Sequence, residues 1–567
     1  MFGILPNDWL SNSAECLAQG CAKLPARCGR SRFLREGEIG TAFNSFGCSS
    51  GRFCLESVAG MEQDESELLA LRREKLEALE RLGIEPFGAA FETSGEIAQV
   101  REKFAEGASF RIAGRITAHR NMGKSHFVDL KDASGRMQIY LHAKELDADA
   151  MEVFKLLDLG DFIGIEGTCF TTKTGEPTLK VHKLEVLAKS LRPLPEKWHG
   201  LQDIEARYRQ RYLDLITNDQ SRAIFAKRFV IVREVRRFLE DRGFVEVETP
   251  MLQSVAGGAA AEPFATHHKA LGLDLYLRIA PELYLKRLLV GGFSKVYELN
   301  RNFRNEGISR KHNPEFTMLE AYLAYADFEK IADLVEEMIC HVAETIVAME
   351  GGAPATPGAA GGEAGSQSSP LQVEHRDAEG NVTRTINLTR PWRRARYHEL
   401  VREAAGADWF EISSEQRRER AKTLGVEILP QLADFEVTQH VFEKLVEEKT
   451  FDPLFVTHCP KELVPLAKQN RDQPELVDVY ELIINGVEIS PGYTELNDPV
   501  TQRERLLEQA GEETQKLDED FLLALEHGMP PAGGFGLGID RLTMLLTGAE
   551  SIRDVILFPL LRPRRLS

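Results

Sequence analysis

A regular pattern of apolar and polar positions sets in only from Met61. There, ELLALRREKLEALERLG consists of strong helix formers with Leu69, Leu76 and Leu79 on one stripe, and it predicts a helix. Gly83 stops that helix and Pro86 confirms the stop. The period then falls to two. FRIAGRITAHR from Phe110, HFVDLKDASGRMQIYLH from His126, DFIGIEGTCF from Asp161 and TLKVHKLEVL from Thr178 all alternate apolar with polar residues. Turn residues at Asp132–Gly135 and Lys173–Glu176 separate them, as hairpins require. Short strands with glycine-marked bends and one inserted helix predict a small closed barrel of five strands.

That barrel has the proportions of an OB-fold, in a region spanning 61–195. A proline-marked joint, Arg192–Pro195, leads into a second region, 196–567, where long helical patterns mix with antiparallel-looking strands. Within it, 351–369 (GGAPATPGAAGGEAGSQSS) has nothing with which to pack and reads as a surface insertion. VEHRDAEGNVTRTINL, just after, predicts a hairpin turning at Asp377–Asn381. Residues 1–60 carry no sustained period, and they lack the apolar core of a signal peptide. Arg27, Arg30, Arg32 and Arg35 would suit a transit peptide, but Glu36 and Glu38 sit beside them. The expectation is that Met61 is the working start and that 1–60 form a disordered or non-native extension.

Composition narrows the class without naming a function. Hydrophobic residues make up 43% and charged ones 28%, as in ordinary globular proteins. No run of eighteen apolar residues occurs, so no membrane helix is expected. A net charge of −18 repels a polyanion, so any nucleic-acid contact needs local basic patches or base stacking. Cys16, Cys21, Cys28, Cys48 and Cys54 crowd the start; no C-x₂-C pair occurs, which gives zinc little support. Cys169, Cys340 and Cys459 look like isolated thiols of a reducing compartment, and a cytoplasmic location is expected.

Three segments carry chemistry. In YELNRNFRNEGISRKHNPEFTMLEAY (Tyr297–Tyr322), Arg304 and Glu306 precede a loop with Arg310, Lys311 and His312, and Phe316 follows. Clustered cations suit a polyphosphate, and Phe316 offers a flat face to a base. A solvated charged hairpin is the plainer alternative. It competes poorly, because apolar residues alternate so closely with the charges that several must face inward, where unpaired charge is costly. In GGFGLGIDRLTMLL (Gly533–Leu546), glycines permit close approach before a helix whose first turn holds Arg541, where acids are usual; an anionic partner is expected there. In YELIINGVEISPGYTELNDP (Tyr480–Pro499), a turn at Asn485–Gly486 can bring Glu481 and Glu488 to one face, where they could hold Mg²⁺ beside a triphosphate. Taken alone, those two glutamates read better as exposed strand residues.

Together these segments resemble a known family. FRNEG-x-x-x-x-H-x-x-EF resembles motif 2 of class II aminoacyl-tRNA synthetases, and GLGIDR resembles motif 3. FAKRFVIVREVRRFLEDRGFVEVETP, ending at Pro250, is similar to motif 1, the dimer-forming segment of that class. GGAAAEPF, THHKALGLDLYLRIAPELYLKRL, AYADF, YTELNDP and IRDVILFP look like bacterial lysyl-tRNA synthetases, over about Met61 to Pro563. The resemblance implies an α+β chain: an antiparallel sheet with flanking helices, preceded by an anticodon-binding OB-fold. It also implies ATP, L-lysine and tRNA(Lys) as partners, Mg²⁺ as cofactor, and a homodimer.

Site roles carry over by motif. The resemblance implies that Arg304 grips the α-phosphate and the lysine carboxylate, while Glu306 and Asn313 read the adenine edge. Phe316 and Arg541 would stack on its two faces, and Arg541, Lys311 and His312 would reach the γ-phosphate. Arg304 and Arg541 are thus the catalytic candidates, and Glu481 and Glu488 the Mg²⁺ ligands. Gly258 and Glu282 would take the α-amino group, Glu495 and Tyr322 the ε-ammonium, and Glu320 and Tyr493 would complete the pocket. Independently of any family, a compact ammonium on a long stem calls for an acid at the pocket's end. In the barrel, Phe127 would stack on an anticodon base whose edge Gln138 and Glu176 read, although Phe127 could equally be a core residue. Departures from the pattern are mild at Lys311, where arginine is common, and unexplained at Glu262. They are sharper at Ser490–Pro491, which replace a small residue and an asparagine that meets the lysine carboxylate. A lysyltransferase of elongation factor P lacks the barrel, aspartyl or asparaginyl enzymes would not keep Glu495 and Tyr322, and an inactive paralogue would lose ATP-site residues.

Overall fold

The computed structural model describes residues 67–195, 201, 203–259, 261–350, 370–377, 379–464, 466–510 and 517–563. The expectations for 1–60 and 351–369 fall outside the described residues. Two compact units part between Pro193 and Leu194. Among the described residues no helix is long and apolar enough to cross a membrane.

In the first unit a helix over residues 67–81 precedes a closed barrel of β1 (Ser109–Met122), β2 (Ser125–Lys131), β3 (Arg136–His142), β4 (Phe162–Thr171) and β5 (Pro177–Ala188). The barrel order is β1-β2-β3-β5-β4, with the helix Ala148–Lys155 inserted between β3 and β4. Asp147 caps that helix by accepting the Ala150 N–H. Alternation fixes the faces: Val128, Leu130, Ile139 and Leu141 fill the barrel, while Phe127, Asp129, Gln138 and Tyr140 point the other way. The fully buried Lys189 ammonium is met by Asp158 at 2.6 Å and Asp161 at 2.9 Å, so the cation enters the interior only with two partners.

The second unit is built on an eight-stranded sheet among the described residues. Along the chain, β6 (Val245–Glu246) is followed by a small three-stranded sheet of β7 (Leu252–Gln253), β8 (Ala265–His268) and β9 (Leu273–Leu277). Then come β10 (Lys295–Phe303), β11 (Glu315–Ala324) and the hairpin β12 (Gln372–Arg376) and β13 (Val382–Asn387), whose turn lies where the sequence predicts it. β14 (Arg393–Arg396), β15 (Leu454–Thr457), β16 (Val479–Ile484), β17 (Val487–Thr494) and β18 (Ala532–Gly538) complete the set. The large sheet runs β14-β15-β16-β17-β18-β11-β10-β6, antiparallel except at its two ends.

The two faces of this sheet have different fates. Tyr297 and Leu299 of β10, Leu319 and Ala321 of β11, Leu482 of β16 and Phe535 and Leu537 of β18 lie against two long helices, Asp219–Glu240 and Phe328–Glu350. Those helices contribute Val235, Leu239, Val335 and Ile339 to the same core. Because side chains alternate, residues 298, 300 and 302 of β10 and 316, 318, 320 and 322 of β11 must face the opposite side. A second core, with Val401, Trp409, Val441 and Phe442, covers that opposite face beside β15 and β16. A third core, with Leu283, Leu285, Leu289 and Phe521, covers the same face beside Val296, Tyr322 and Ala324, and a cavity opens on it near Phe316 and Met318.

Candidate active site

Register places the candidate residues in rows across that face. Tyr322 of β11 stands beside Gly534 of β18, which stands beside Tyr493 of β17. One step along, Glu298, Glu320 and Gly536 form the next row. Pro491 of β17 is opposite Glu481 of β16, and Glu488 is opposite Ile483, so both glutamates share a face. Asn485 and Gly486 take positive φ values of 57° and 70°, the turn that closes this hairpin. Glycines at 534, 536 and 538 leave a trough in the relief of β18 itself, which Glu495 and Tyr322 fill over Gly534 and Met318 fills over Gly536. At Gly534 a Cβ would collide with the Glu495 carboxylate and the Tyr322 ring.

One end of the trough opens into a cavity lined by Arg304, Glu306, Lys311, His312, Asn313, Phe316, Glu488 and Arg541. The Arg304 guanidinium lies over the Phe316 ring, 5.3 Å from its centre, and its buried Nε has no hydrogen-bond partner. Asn313 donates from Nδ2 to the Glu315 carbonyl at 2.6 Å, leaving its buried Oδ1 unpartnered. Buried polar atoms without partners are costly, so both fit a ligand in the cavity. Burial, then the Arg541 charge, lowers the pKa of His312, which therefore favours the neutral form. Arg541 donates from Nη1 to the Glu488 carbonyl at 2.6 Å. The anionic partner expected for it is not found among the described residues. Its neighbour Asp540 takes the acidic place in that helix turn, pairing with Arg228 at 2.7 Å and accepting the Thr317 N–H at 2.8 Å.

Glu481 does not line this cavity. Its carboxyl is pushed well above the usual range, first by burial and then by the charges of Glu488, Glu447 and Glu443. No acid, His or Cys trio among the described residues forms a cage for a metal. Two crowded carboxylates on one face, with no ion pair to either among the described residues, instead offer the oxygen chemistry that would suit Mg²⁺. Glu443 and Glu447 were not legible in sequence, since only the fold brings their helix and turn over β16.

Further along β18 is a buried cluster of acids and phenols. Glu282, Glu320, Tyr322 and Glu495 are all buried. Tyr322 donates to Glu320 at 3.1 Å, and Tyr493 donates to Glu282 at 2.9 Å. Burial, then the charge of Glu282, pushes Glu320 up to about 8. Gly258, at φ +88°, lies against Glu282 with a backbone that side chains rarely adopt. Lys286, which the sequence reading did not single out, is fully buried here between Glu282 and Glu495. Its signal was a cation one turn from Glu282, on the stripe of a helix that buries Leu285 and Leu289.

Ser490 and Pro491 also find a physical reason. Proline cannot donate a ladder bond, and pairing of β17 with β18 begins only at Gly492. The Ser490 hydroxyl donates to the Gly536 carbonyl at 2.6 Å and satisfies the acceptor instead. Nothing in the structure explains the exposed Glu262 side chain, although its carbonyl accepts the Asn305 N–H.

On the barrel's outer face, Phe127 packs on Tyr140 with ring centres 5.1 Å apart, so it is not a core residue. Arg120 donates to Asp129 at 2.9 Å and to Gln138 at 2.8 Å, while Arg136 meets Glu176 at 2.9 Å. Phe127, Gln138 and Glu176 thus border one polar patch that also holds Arg120, which the alternating pattern did not mark.

Two family models match the chain. One, described as tRNA synthetases class II (D, K and N), covers residues 203–562; the other, an OB-fold nucleic acid binding domain, covers 110–187. A lysine–tRNA ligase of Carboxydothermus hydrogenoformans is 49% identical over 511 residues, 88% of this chain and 99% of that protein. Lysine–tRNA ligases of Syntrophomonas wolfei subsp. wolfei, at 48% over 508 residues, and Staphylococcus aureus, at 44% over 522, cover 88% and 89% of this chain and 98% and 100% of those proteins.

The tight contact at Gly534 gives a direct test. Gly534→Ala should destabilise the protein by about 1–3 kcal/mol through overpacking, read from urea unfolding. Unchanged stability would mean that the trough has room the structure does not show.

Proposed function

The chain belongs to the class II tRNA synthetases of the D, K and N group, and on that footing we propose that it activates L-lysine with ATP and transfers it to tRNA(Lys). The observation that carries the choice of amino acid is the buried cluster Glu282, Glu320 and Glu495 at one end of the trough. Acids without a matching number of protein cations call for a substrate rich in ammonium groups. A site for aspartate would present the opposite charge.

In this reading ATP lies in the cavity, with its adenine between Phe316 and Arg541. Asn313 Oδ1 accepts from the adenine amino group, and Glu306 reads the same edge. Arg304 grips the α-phosphate and the lysine carboxylate. Pro491 offers that carboxylate no donor, so Arg304 carries the contact. Lys311 and His312 reach the outer phosphates. Glu481 and Glu488 hold Mg²⁺, which supplies charge neutralisation on the phosphates when bound. Glu282 and Gly258 meet the α-amino group, and Glu495 and Tyr322 the ε-ammonium, with Glu320 and Tyr493 behind them. The carboxylate attacks the α-phosphorus in line and pyrophosphate leaves; the terminal ribose hydroxyl of the tRNA then attacks the carbonyl of the lysyl adenylate, whose anhydride bond breaks to release AMP. No side-chain base is needed, because positioning and electrostatics lower the barrier. In the barrel, Phe127 stacks on an anticodon base whose edge Gln138 and Glu176 read, a mode open to an acidic protein.

Glu495→Gln should reduce lysine-dependent ATP–pyrophosphate exchange by a charge-assisted bond of about 1.5–3 kcal/mol; exchange equal to wild type would refute the pocket assignment. Phe127→Ala should weaken tRNA charging by about 1–3 kcal/mol while sparing lysine activation, and equal losses in both assays would make Phe127 structural. The lysine KM should respond to pH with a defined sign. A bound ammonium favours ionised Glu320, whose carboxyl lies at about 8, so below that pH binding must expel a proton. The KM should be flat above that value and rise below it by up to about tenfold per pH unit; a KM that falls on acidification would contradict the assignment. Finally, the chain should be a homodimer through the helix Asp219–Glu240 and the segment ending at Pro250, and an active monomer in light scattering would exclude this.

A further inference from the structure

Packing alone does not account for Lys286. Its side chain is fully buried, and its ammonium lies 2.6 Å from Glu282 Oε1 and 2.5 Å from Glu495 Oε2. An i,i+4 pair on a helix is ordinarily a solvated surface contact of small worth. Here a third charge, from a distant strand end, joins it in the interior, where desolvation is expensive. The remaining oxygens are placed differently. Glu282 Oε2 accepts from Tyr493 at 2.9 Å. Glu495 Oε1 is buried with no hydrogen-bond partner, and it is the atom nearest to where a Cβ on Gly534 would stand, so it lies directly over that glycine.

We propose that Lys286 is a positioning residue and internal counter-ion of the amino-acid pocket: it engages one oxygen of Glu282 and one of Glu495, leaving the second oxygen of each for an ammonium of the substrate. This rests on lysine being the amino acid bound. The charged groups facing the pocket are Glu282, Glu320, Glu495 and Lys286, with Tyr322 and Tyr493 between them. Arg278 is already paired with Glu298 at 2.6 Å, and Arg304 faces the cavity. With all three carboxylates ionised, as a bound substrate ammonium requires, three acids against one ammonium leave two negative charges, which equals the two ammonium groups of lysine. Without Lys286 the three acids face one another alone and hold protons to higher pH.

The test is lysine-dependent ATP–pyrophosphate exchange by the full chain and its Lys286→Met and Lys286→Arg variants, as a function of pH. Wild-type exchange with lysine comes first: its absence would sink the assignment of the amino acid, whatever Lys286 does. Given wild-type exchange, Lys286→Met should raise the lysine KM at least tenfold at pH 7 and leave the ATP KM within threefold. The midpoint of its KM–pH profile should move up by one unit or more, and Lys286→Arg should recover part of both changes. An unaltered lysine KM, or a defect of the same size at every pH, would overturn the proposal. Should Lys286→Met fail to fold, the double variant Lys286→Met, Glu495→Gln restores two net negative charges. It should then bind lysine at least as well as Glu495→Gln alone, and a tenfold weaker double variant would overturn the proposal equally.

Discussion

In an antiparallel sheet every second side chain faces the same way, and in the second unit that rule divides the chemistry from the core. Tyr297, Leu299, Leu319, Ala321, Phe535 and Leu537 are committed to the two long helices. Their neighbours Glu298, Phe316, Glu320, Tyr322 and Gly534 therefore have only the opposite face to occupy. A slip of one residue in β11 would bury Glu320 against Val335 and turn Leu319 toward substrate. The apolar packing of one face thus holds the polar face in register, and the free energy for placing the acids comes from the core behind them.

That face works because β18 is nearly bare. Glycines at alternate positions remove the side chains that would fill the trough, and they let Tyr322 and Glu495 close over it from both flanks. The charges along the trough are segregated. Arg304, Lys311 and Arg541 gather at the cavity, the paired glutamates of the β16–β17 hairpin stand beside it, and the acids of the pocket lie at the far end. A molecule with an anionic end and a cationic end has one favourable direction in such a field.

Much of this was legible in the sequence for identifiable reasons. The Asn485–Gly486 turn is local, so the sequence already showed how Glu481 and Glu488 could come to share a face. The barrel strands announced themselves by alternation, and the Asp377–Asn381 turn by its residue types. What could not be read depends on partners far along the chain. Lys286 shows one of its acids four residues away, but Glu495 belongs to a strand end that only the fold brings near. Asp540, rather than any ligand, answers the helix-start preference at Arg541's turn, and its partner Arg228 lies on another helix. The exchange of roles between Pro491 and Ser490 depends on the Gly536 carbonyl of a neighbouring strand. Alternation at Phe127 fitted either face until closure of the barrel put Val128 and Leu130 inside.

In the proposed function, the buried acids at the end of the trough select an amino acid with two ammonium groups. That selection is tested most directly by ATP–pyrophosphate exchange with wild-type protein and each of the twenty amino acids in turn, with norleucine added as an uncharged analogue of lysine's length. The account predicts exchange with lysine and none above the blank with norleucine, methionine or aspartate. Comparable exchange with norleucine or aspartate would contradict it.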